Sequence, residues 1–504
     1  MKKTIEKKKL VNYINKNKDK KIVLCHGVFD LVHYGHIKHF KSAKKFGDIL
    51  IVSITKDRFI KKGFNRPLFN EIKRSEYLSE IDLIDYVYIC ETESAADSIK
   101  IIKPKYYVKG PDYKNNKSDV TKKIYLEKKL VEKYKGKIVY TKDEKFSSST
   151  IINNGNLLNY NTSQKNFIEK IKRKYGYDYI KKEIKKFNKI KVLLVGELIF
   201  DQYCFGNIIG KSGKEPHLVL KEETSEYYVG GIGAVARHLS SFVNSVHMMS
   251  PFGNEKFLKK ILKKNLKVNI IKDFVTPNKK YNSIIKKRFI DKVSNYKMFG
   301  SYILPDQPHK NFFLKLISKI KSKINKNDML IICDYGHNFL DKKIAAYISK
   351  TNKFKALNSQ LNSSNTSYHS LQNYKNMDIV IINESELRLE LREEKLDIKL
   401  LASNLIKRNK IKNLIVTQGK NGVTFFRNNS SPIYCPAFVE KSIDKIGAGD
   451  AMLSIVSLAI KQNLDPEIVL FLGSIASAYS VNTIGNELAV DFSEMDRFLK
   501  FSLE

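Results

Sequence analysis

Long apolar runs are missing from this chain, and its cysteines do not cluster. No window of about 18 apolar residues occurs, which argues against a helical membrane span. The first twenty residues are lysine-rich with no apolar stretch, so no secretory signal is expected. The five cysteines (Cys25, Cys90, Cys204, Cys333, Cys435) are scattered, odd in number and form no CxxC pair. They read as reduced thiols of a cytoplasmic protein, not as a disulfide framework or a zinc site. Arginine is scarce too: most of the 91 basic residues are lysine, dispersed along the chain among many Asn and Ile. A net charge of +39 suits a polyanion, but a nucleic-acid face concentrates arginine and aromatics. Even dispersal reads as compositional drift. Neither a nucleic acid nor a membrane is expected as partner, although a basic surface still attracts phosphorylated substrates.

What is present is enough chain for several cores. At 504 residues two or three domains are expected. From Lys21 to Asn154 apolar runs such as KIVLC, DILIVSI, IDYVYIC and KYYVKG alternate with helical stretches such as HIKHFKSAKKFG, the pattern of a doubly wound parallel sheet. NNGNLLNYN is loop-like, and FIEKIKRKYGYDYIKKEIKKFNK has helical spacing inside a lysine-rich surface, so residues 155–190 read as a helical linker. KVLLVGE restarts an α/β pattern over 191–504, which ends in two apolar helices broken at Asn463–Pro466. The fold class is therefore α/β: two doubly wound domains, 1–154 and 191–504, joined by helices.

In the first domain HGVFDLVHYGH follows a strand and opens a helix. Helix-start N–H groups beside Gly27 and Gly35 let phosphate oxygens approach, and His33 and His36 can donate to a phosphorus centre gaining charge. Two histidines at i, i+3 could also begin a metal site, but no further Cys, His or carboxylate set has ligand spacing. Gly27, Phe29, Asp30, His33, Gly35 and His36 together resemble the GxFDxxHxGH signature of the cytidylyltransferase-like nucleotidyltransferases. The resemblance continues through AKKFGD, NRP, VKGPDYK and SSST, over residues 20 to 155. It implies attack by a substrate phosphate on a nucleotide's α-phosphate, with release of pyrophosphate and no covalent intermediate. His33, His36 and Lys44 would stabilise the reacting phosphorus, and Ser148, Ser149 and Thr150 would hold the β- and γ-phosphates. Arg66 and Lys109 would contact substrate or nucleotide, and Asp30 would fix the loop.

In the second domain DKIGAGDAM places a Gly-Ala-Gly turn before an apolar helix. The N–H groups of Gly447, Ala448 and Gly449 make an anion hole, and Asp450 stands where it can take a proton from a hydroxyl. With VGELIFDQYCFG, YVGGIGAVARHL, NESE and TQGKNG, this run resembles the ribokinase-like sugar kinases over residues 190 to 500. The resemblance implies a large α/β domain with a small β lid from segments near His217–Tyr228 and Tyr281–Ser301. Asp450 would be the catalytic base. Asn383 and Glu386 match NxxE, linked to magnesium and phosphate, Glu386 through water and not as a direct ligand. Thr417, Gly419 and Gly422 would line the nucleotide, and Asp201, Gly230 and Gly231 the sugar. This chain departs from the family at Lys445 and Ile446, in place of the threonines of DTTGAGD. It also has Ala234 for the usual Asn, Gly196-Glu197 for Gly-Asp, and NSQ (Asn358–Gln360) for Asp-Pro-Lys.

Both halves together resemble the bifunctional ADP-heptose synthesis enzymes, with the transferase first instead of the kinase. That implies magnesium, ATP (or CTP), a sugar phosphate and a homodimer. Two other readings stay open: a cytidylyltransferase acting on a polyol or glycerol phosphate, and a C-terminal half that binds sugar or dimerises without catalysis.

Overall fold

A computed structural model describes residues 3–60, 67–110, 123–141, 160–253, 255–278, 280–294, 296–306, 310–361, 365, 371–439 and 444–504. The chain forms two compact units, Met1–Tyr160 and Asn161–Glu504. The first holds a parallel sheet of β1 (Ile22–Gly27), β2 (Ile49–Thr55), β3 (Tyr86–Cys90), β4 (Tyr106–Lys109) and β5 (Lys137–Tyr140). Their order is β3-β2-β1-β4-β5. β1 and β2 are continuous apolar runs because helices cover both sheet faces. Strand periodicity divides them: Leu24 and Ile51 enter one core, Val23, Cys25, Leu50 and Val52 the other. The order reverses between β1 and β4, which opens a crevice at their carboxyl ends. Four strands match the apolar runs read from sequence; β5, the short KIVY, went unread.

The second unit is built on a nine-stranded sheet: β6 (Lys191–Gly196), β9 (Ser245–Pro251), β10 (Ile270–Val275), β13 (Met329–Asp334), β14 (Phe354–Ser359), β15 (Ile379–Asn383), β16 (Asn413–Thr417), β17 (Val423–Phe426) and β18 (Ile433–Cys435). The order is β10-β9-β6-β13-β14-β15-β16-β17-β18, parallel up to β16 and antiparallel beyond. A separate sheet contains β7 (Leu198–Lys211), β8 (Leu218–Gly231), β11 (Ile284–Asp291) and β12 (Lys297–Ile303), in the order β12-β11-β7-β8. This is a lid-like β layer. The expected segments supply β8, β11 and β12, and β7 extends the first-strand motif into the same layer.

The helices at 448–461 and 466–480 are buried almost all round. Asn463, at φ +55°, and Pro466 at the next helix start break them where the sequence indicated. The expected linker behaves differently. Helices Thr162–Lys174 and Gly176–Lys185 belong to the second unit, with Ile171 and Ile180 fully buried. Tyr177 Oη donates to Asp496 at 2.9 Å, and Lys170 pairs with Glu467 at 2.6 Å. Their apolar stripe is a docking face, and burying it removes these helices from any linker role. All five cysteines are buried and unbridged. No helix among the described residues is long and apolar enough to cross a membrane.

Candidate active sites

In the first unit the loop after β1 is held by its neighbours. Phe29 adopts φ +48° and is nearly buried, and its ring lies 3.1 Å from where a Cβ on Gly27 would stand. A side chain at Gly27 would crowd that ring. Asp30 accepts from the Phe69 N–H at 3.1 Å, and the Tyr77 hydroxyl donates to the Phe29 carbonyl.

Helix Tyr34–Lys44 then begins with His33 as its cap. His33 Nδ1 accepts from the Gly35 N–H at 3.1 Å, and His36 Nδ1 accepts from the His33 N–H at 3.3 Å. With Nδ1 accepting, each neutral imidazole carries its proton on Nε2. The two rings lie 4.0 Å apart between centroids, and the Phe29 edge braces His36 at 5.3 Å. Burial lowers the His33 pKa, which favours the neutral ring. The histidines serve as both helix cap and candidate donors.

The structure separates Lys44 from this pair. It lies at the last turn of the same helix, about 12 Å along the axis from His36 at about 1.5 Å per residue. There it pairs with Asp85 and donates to the Asp48 carbonyl at 2.9 Å. Its role is to fasten the helix end to the sheet. Lys109 ends β4 across the crevice from β1 but is buried, 3.4 Å from Glu127 Oε2. Arg66, Ser148, Ser149 and Thr150 lie outside the described residues.

Arg74 was missed. Fully buried, it donates to the carbonyls of Phe69 (2.9 Å), Val28 (2.5 Å) and Thr55 (2.8 Å) and pairs with Asp57 at 2.5 Å. One guanidinium therefore ties the glycine loop to the end of β2. The signal available in sequence was an arginine in a chain that otherwise uses lysine.

In the second unit the candidate residues gather at the carboxyl edge of the parallel strands. Gly447, at φ +89°, is the cap residue of helix Ala448–Lys461 and brings no side chain to that terminus. A Cβ on Gly447 would meet Asn486 Oδ1 at 2.0 Å, whereas the space around Gly449 is open. The first N–H groups of a helix have no intrahelical partner, and such a terminus suits an anion. Asp444 closes the preceding turn by accepting from the N–H groups of Ile446 (3.1 Å) and Gly485 (3.0 Å). It also bonds Tyr203 Oη and Lys297 Nζ of the lid, each at 2.6 Å. Because Asp444 and backbone amides form the turn, Lys445 and Ile446 can stand there without threonine hydroxyls.

Asp450 lies on the first turn of that helix and accepts from Tyr335 Oη at 2.8 Å. Burial pushes its carboxyl up to about 7; Asp201 adds to this, while Tyr335 and Lys286 oppose it. Burial, with Asp450 nearby, keeps the Tyr335 hydroxyl protonated and thus a donor. Tyr335 is itself positioned by Glu197. That buried carboxyl group, whose pKa burial and Asp334 push up, accepts from the N–H groups of Tyr335 (2.9 Å) and His337 (3.1 Å). Sequence reading noted Glu197 only as a departure and missed Tyr335, because their junction joins strand ends 138 residues apart.

Asp201 is 3% exposed and pairs with Arg288 at 2.5 Å. Gly230 passes so close that a Cβ would stand 2.3 Å from Asp201 Oδ2, and Gly231 turns at φ +56°. Ala234 is buried within the following helix and brings no polar group. Asn383 and Glu386 form a reciprocal cap: Asn383 Oδ1 accepts from the Glu386 N–H at 2.8 Å and Glu386 Oε2 from the Asn383 N–H at 3.0 Å. Burial raises Glu386 to about 7 against the bonds from the Asn383 and Leu361 amides. Thr417 ends β16 beside Asn383. Gly419 and Gly422, at φ +57° and +90°, close the turn that follows.

Residues 189–491 match the model of the pfkB family carbohydrate kinases. The chain belongs to that family. Residues 24–155 match the cytidylyltransferase-like model, so a transferase-like domain precedes the pfkB domain. Among curated proteins, the bifunctional protein HldE of Campylobacter jejuni subsp. doylei is 37% identical over 148 residues, 27% of this chain and 32% of that protein. HldE of Aliarcobacter butzleri is 42% identical over 123 residues, 24% and 26% of the two chains. The chain thus spans about a third of the length of the curated relatives it matches. The pfkB domain is similar in fold to phosphofructokinase-2 from Escherichia coli, solved with substrates and products. That likeness has a TM-score of 0.50 and 17% identity, covering 63% of this chain and all of that one.

Proposed function

We propose that the chain is a bifunctional enzyme that makes a nucleotide-activated sugar. The pfkB domain phosphorylates a sugar phosphate, heptose 7-phosphate at C1 being the leading candidate. The first domain transfers a nucleotidyl group from ATP (or CTP) to a sugar 1-phosphate. One observation supports this reading above others: each domain sets a glycine-rich helix start at the carboxyl edge of a parallel sheet, with its candidate reacting side chains on or beside the first turn. The resemblance to ADP-heptose synthesis enzymes supports the sugar, and surface polysaccharide is the expected use.

In the kinase site the Asp450 carboxylate takes the proton of the attacking hydroxyl. N–H groups at the Gly447–Gly449 turn meet the phosphoryl oxygens in flight. By donating to Asp450, Tyr335 opposes the burial that raises its pKa and so favours the ionised base. Asn383 and Glu386 spend a bond on each other, so they suit a water-mediated approach to a metal and not direct ligation. Among the described residues no cluster of three or more His, Cys, Asp or Glu could hold a metal. Magnesium, when bound with the nucleotide, supplies charge neutralisation on its phosphates.

In the transferase site the Nε2–H groups of His33 and His36 donate to the α-phosphate as charge builds on it. No covalent step is needed, since positioning and electrostatics supply the acceleration. Paired variants test the division of labour. Asp450→Asn should abolish sugar phosphorylation and leave nucleotidyl transfer intact; His36→Ala should do the reverse. If the unaltered protein phosphorylates no sugar, the C-terminal half becomes a binding or dimerisation module.

A further inference from the structure

Lid strand β11 carries two cations on one face, Lys286 and Arg288, in register with Asp201 and Tyr203 of β7. They are in unlike situations. Arg288 has its counter-ion in Asp201. Lys286 is 7% exposed and, among the described residues, has no ion-pair or side-chain hydrogen-bond partner. Its Nζ lies 5.4 Å above the Tyr302 ring. Burying an ammonium without a counter-ion is costly, and an apolar side chain of similar volume would serve a purely structural role better.

The neighbours of Lys286 show what that charge faces. Burial lowers the Lys286 pKa and Arg288 adds to this, while Asp201, Glu197 and Asp450 oppose it by favouring the charged form. Asp450 in turn responds to Lys286. The lid strand therefore sets a buried cation opposite Asp201, and Asp201 and Asn486 both stand against Gly230, with Asn486 also against Gly447 at the helix start.

We propose that Lys286 is a catalytic residue of the kinase site, whose ammonium binds the phosphoryl group as it passes from nucleotide to sugar. This rests on the kinase reading above. In the step, the sugar hydroxyl gives its proton to Asp450 and its oxygen bonds the γ-phosphorus. The bond from that phosphorus to the bridging oxygen breaks, and its electron pair leaves on ADP. Lys286 only donates hydrogen bonds and keeps its protons.

The test uses the full chain with Lys286→Met and Lys286→Arg. Lys286→Met should lower kcat by about a hundredfold or more, as loss of a charged transition-state donor does. Its KM for ATP should stay near that of the unaltered protein, and Lys286→Arg should recover part of the loss. Lys286→Met should also melt no lower than the unaltered protein, because it removes an uncompensated buried charge. A kcat close to normal in Lys286→Met overturns the proposal, as does a lowered melting temperature with a normal kcat in the surviving folded fraction. Calorimetric titration of the magnesium-ADP-saturated protein with orthophosphate gives a readout without turnover. Binding should be present in the unaltered chain and lost in Lys286→Met. If no sugar is phosphorylated by the unaltered protein, the kinase reading fails and this titration alone decides. Orthophosphate binding that ignores the substitution, or no binding at all, then refutes the role of Lys286.

Discussion

Tyr335→Phe removes one hydroxyl from the kinase site and leaves the ring that fills its place. In the structure that hydroxyl donates to Asp450 Oδ1 at 2.8 Å and opposes the burial that lifts the carboxyl to about 7. A hydrogen bond to a charged group contributes about 1.5 kcal/mol, and 1.36 kcal/mol corresponds to about one pKa unit. Without it the carboxyl should titrate near 8, about one unit higher. The base works only when ionised, so activity is lost as pH falls through its pKa. The acid limb of kcat should therefore move towards alkaline pH. At pH 7 the ionised fraction drops from about half to about a tenth, a fivefold loss of kcat, while at pH 9 the two proteins should nearly coincide. The assay is ATP-dependent phosphorylation at saturating substrate across pH 5.5 to 9.5, in steps of about half a unit. A loss of the same size at every pH would refute the reasoning, because it would mean that Tyr335 shapes the site without tuning Asp450.

Other substitutions probe separate links. Glu197→Ala leaves the buried Tyr335 and His337 amides without their acceptor; at about 1–3 kcal/mol for each, denaturant unfolding should show a clear loss of stability together with lower kinase activity. Asp201→Ala strands Arg288 as a buried charge, which should cost about 3–5 kcal/mol in the same unfolding assay, whereas Asp201→Ala combined with Arg288→Met should recover much of it. Lys44→Ala should leave nucleotidyl transfer within about threefold of normal, since its ammonium serves the far end of the helix about 12 Å from His36. Arg74→Met should melt lower and also lose nucleotidyl transfer, because the Val28 carbonyl would lose the guanidinium that fixes the glycine loop.

Residues near one another in sequence were the legible ones. HGVFDLVHYGH announces a strand, a tight turn and a helix start, and the structure forms that succession with both histidines on the cap. GAGD likewise states its own geometry, because a positive φ and a crowded Cβ at Gly447 demand glycine. What could not be read came from contacts between distant segments. Lys44 is one lysine among many, and only the position of Asp85 shows that it is structural. The helices at 162–185 carry an amphipathic stripe that fits a linker or a docked element equally well, and the partner surface that decides lies hundreds of residues later. Glu197 and Tyr335 meet only because β6 and β13 are neighbours in the sheet, an adjacency that no local pattern encodes.

The central claim is that one chain carries two phosphate-transferring sites acting on sugar phosphates. Its most direct test is a mass-spectrometric product screen of the purified protein with magnesium, ATP or CTP, pyrophosphatase and a panel including heptose 7-phosphate and heptose 1-phosphate. The account predicts a sugar bisphosphate from the first and a nucleotide-sugar from the second. Nucleotidyl transfer only to a polyol or glycerol phosphate, with no sugar phosphorylated under any condition, would contradict it.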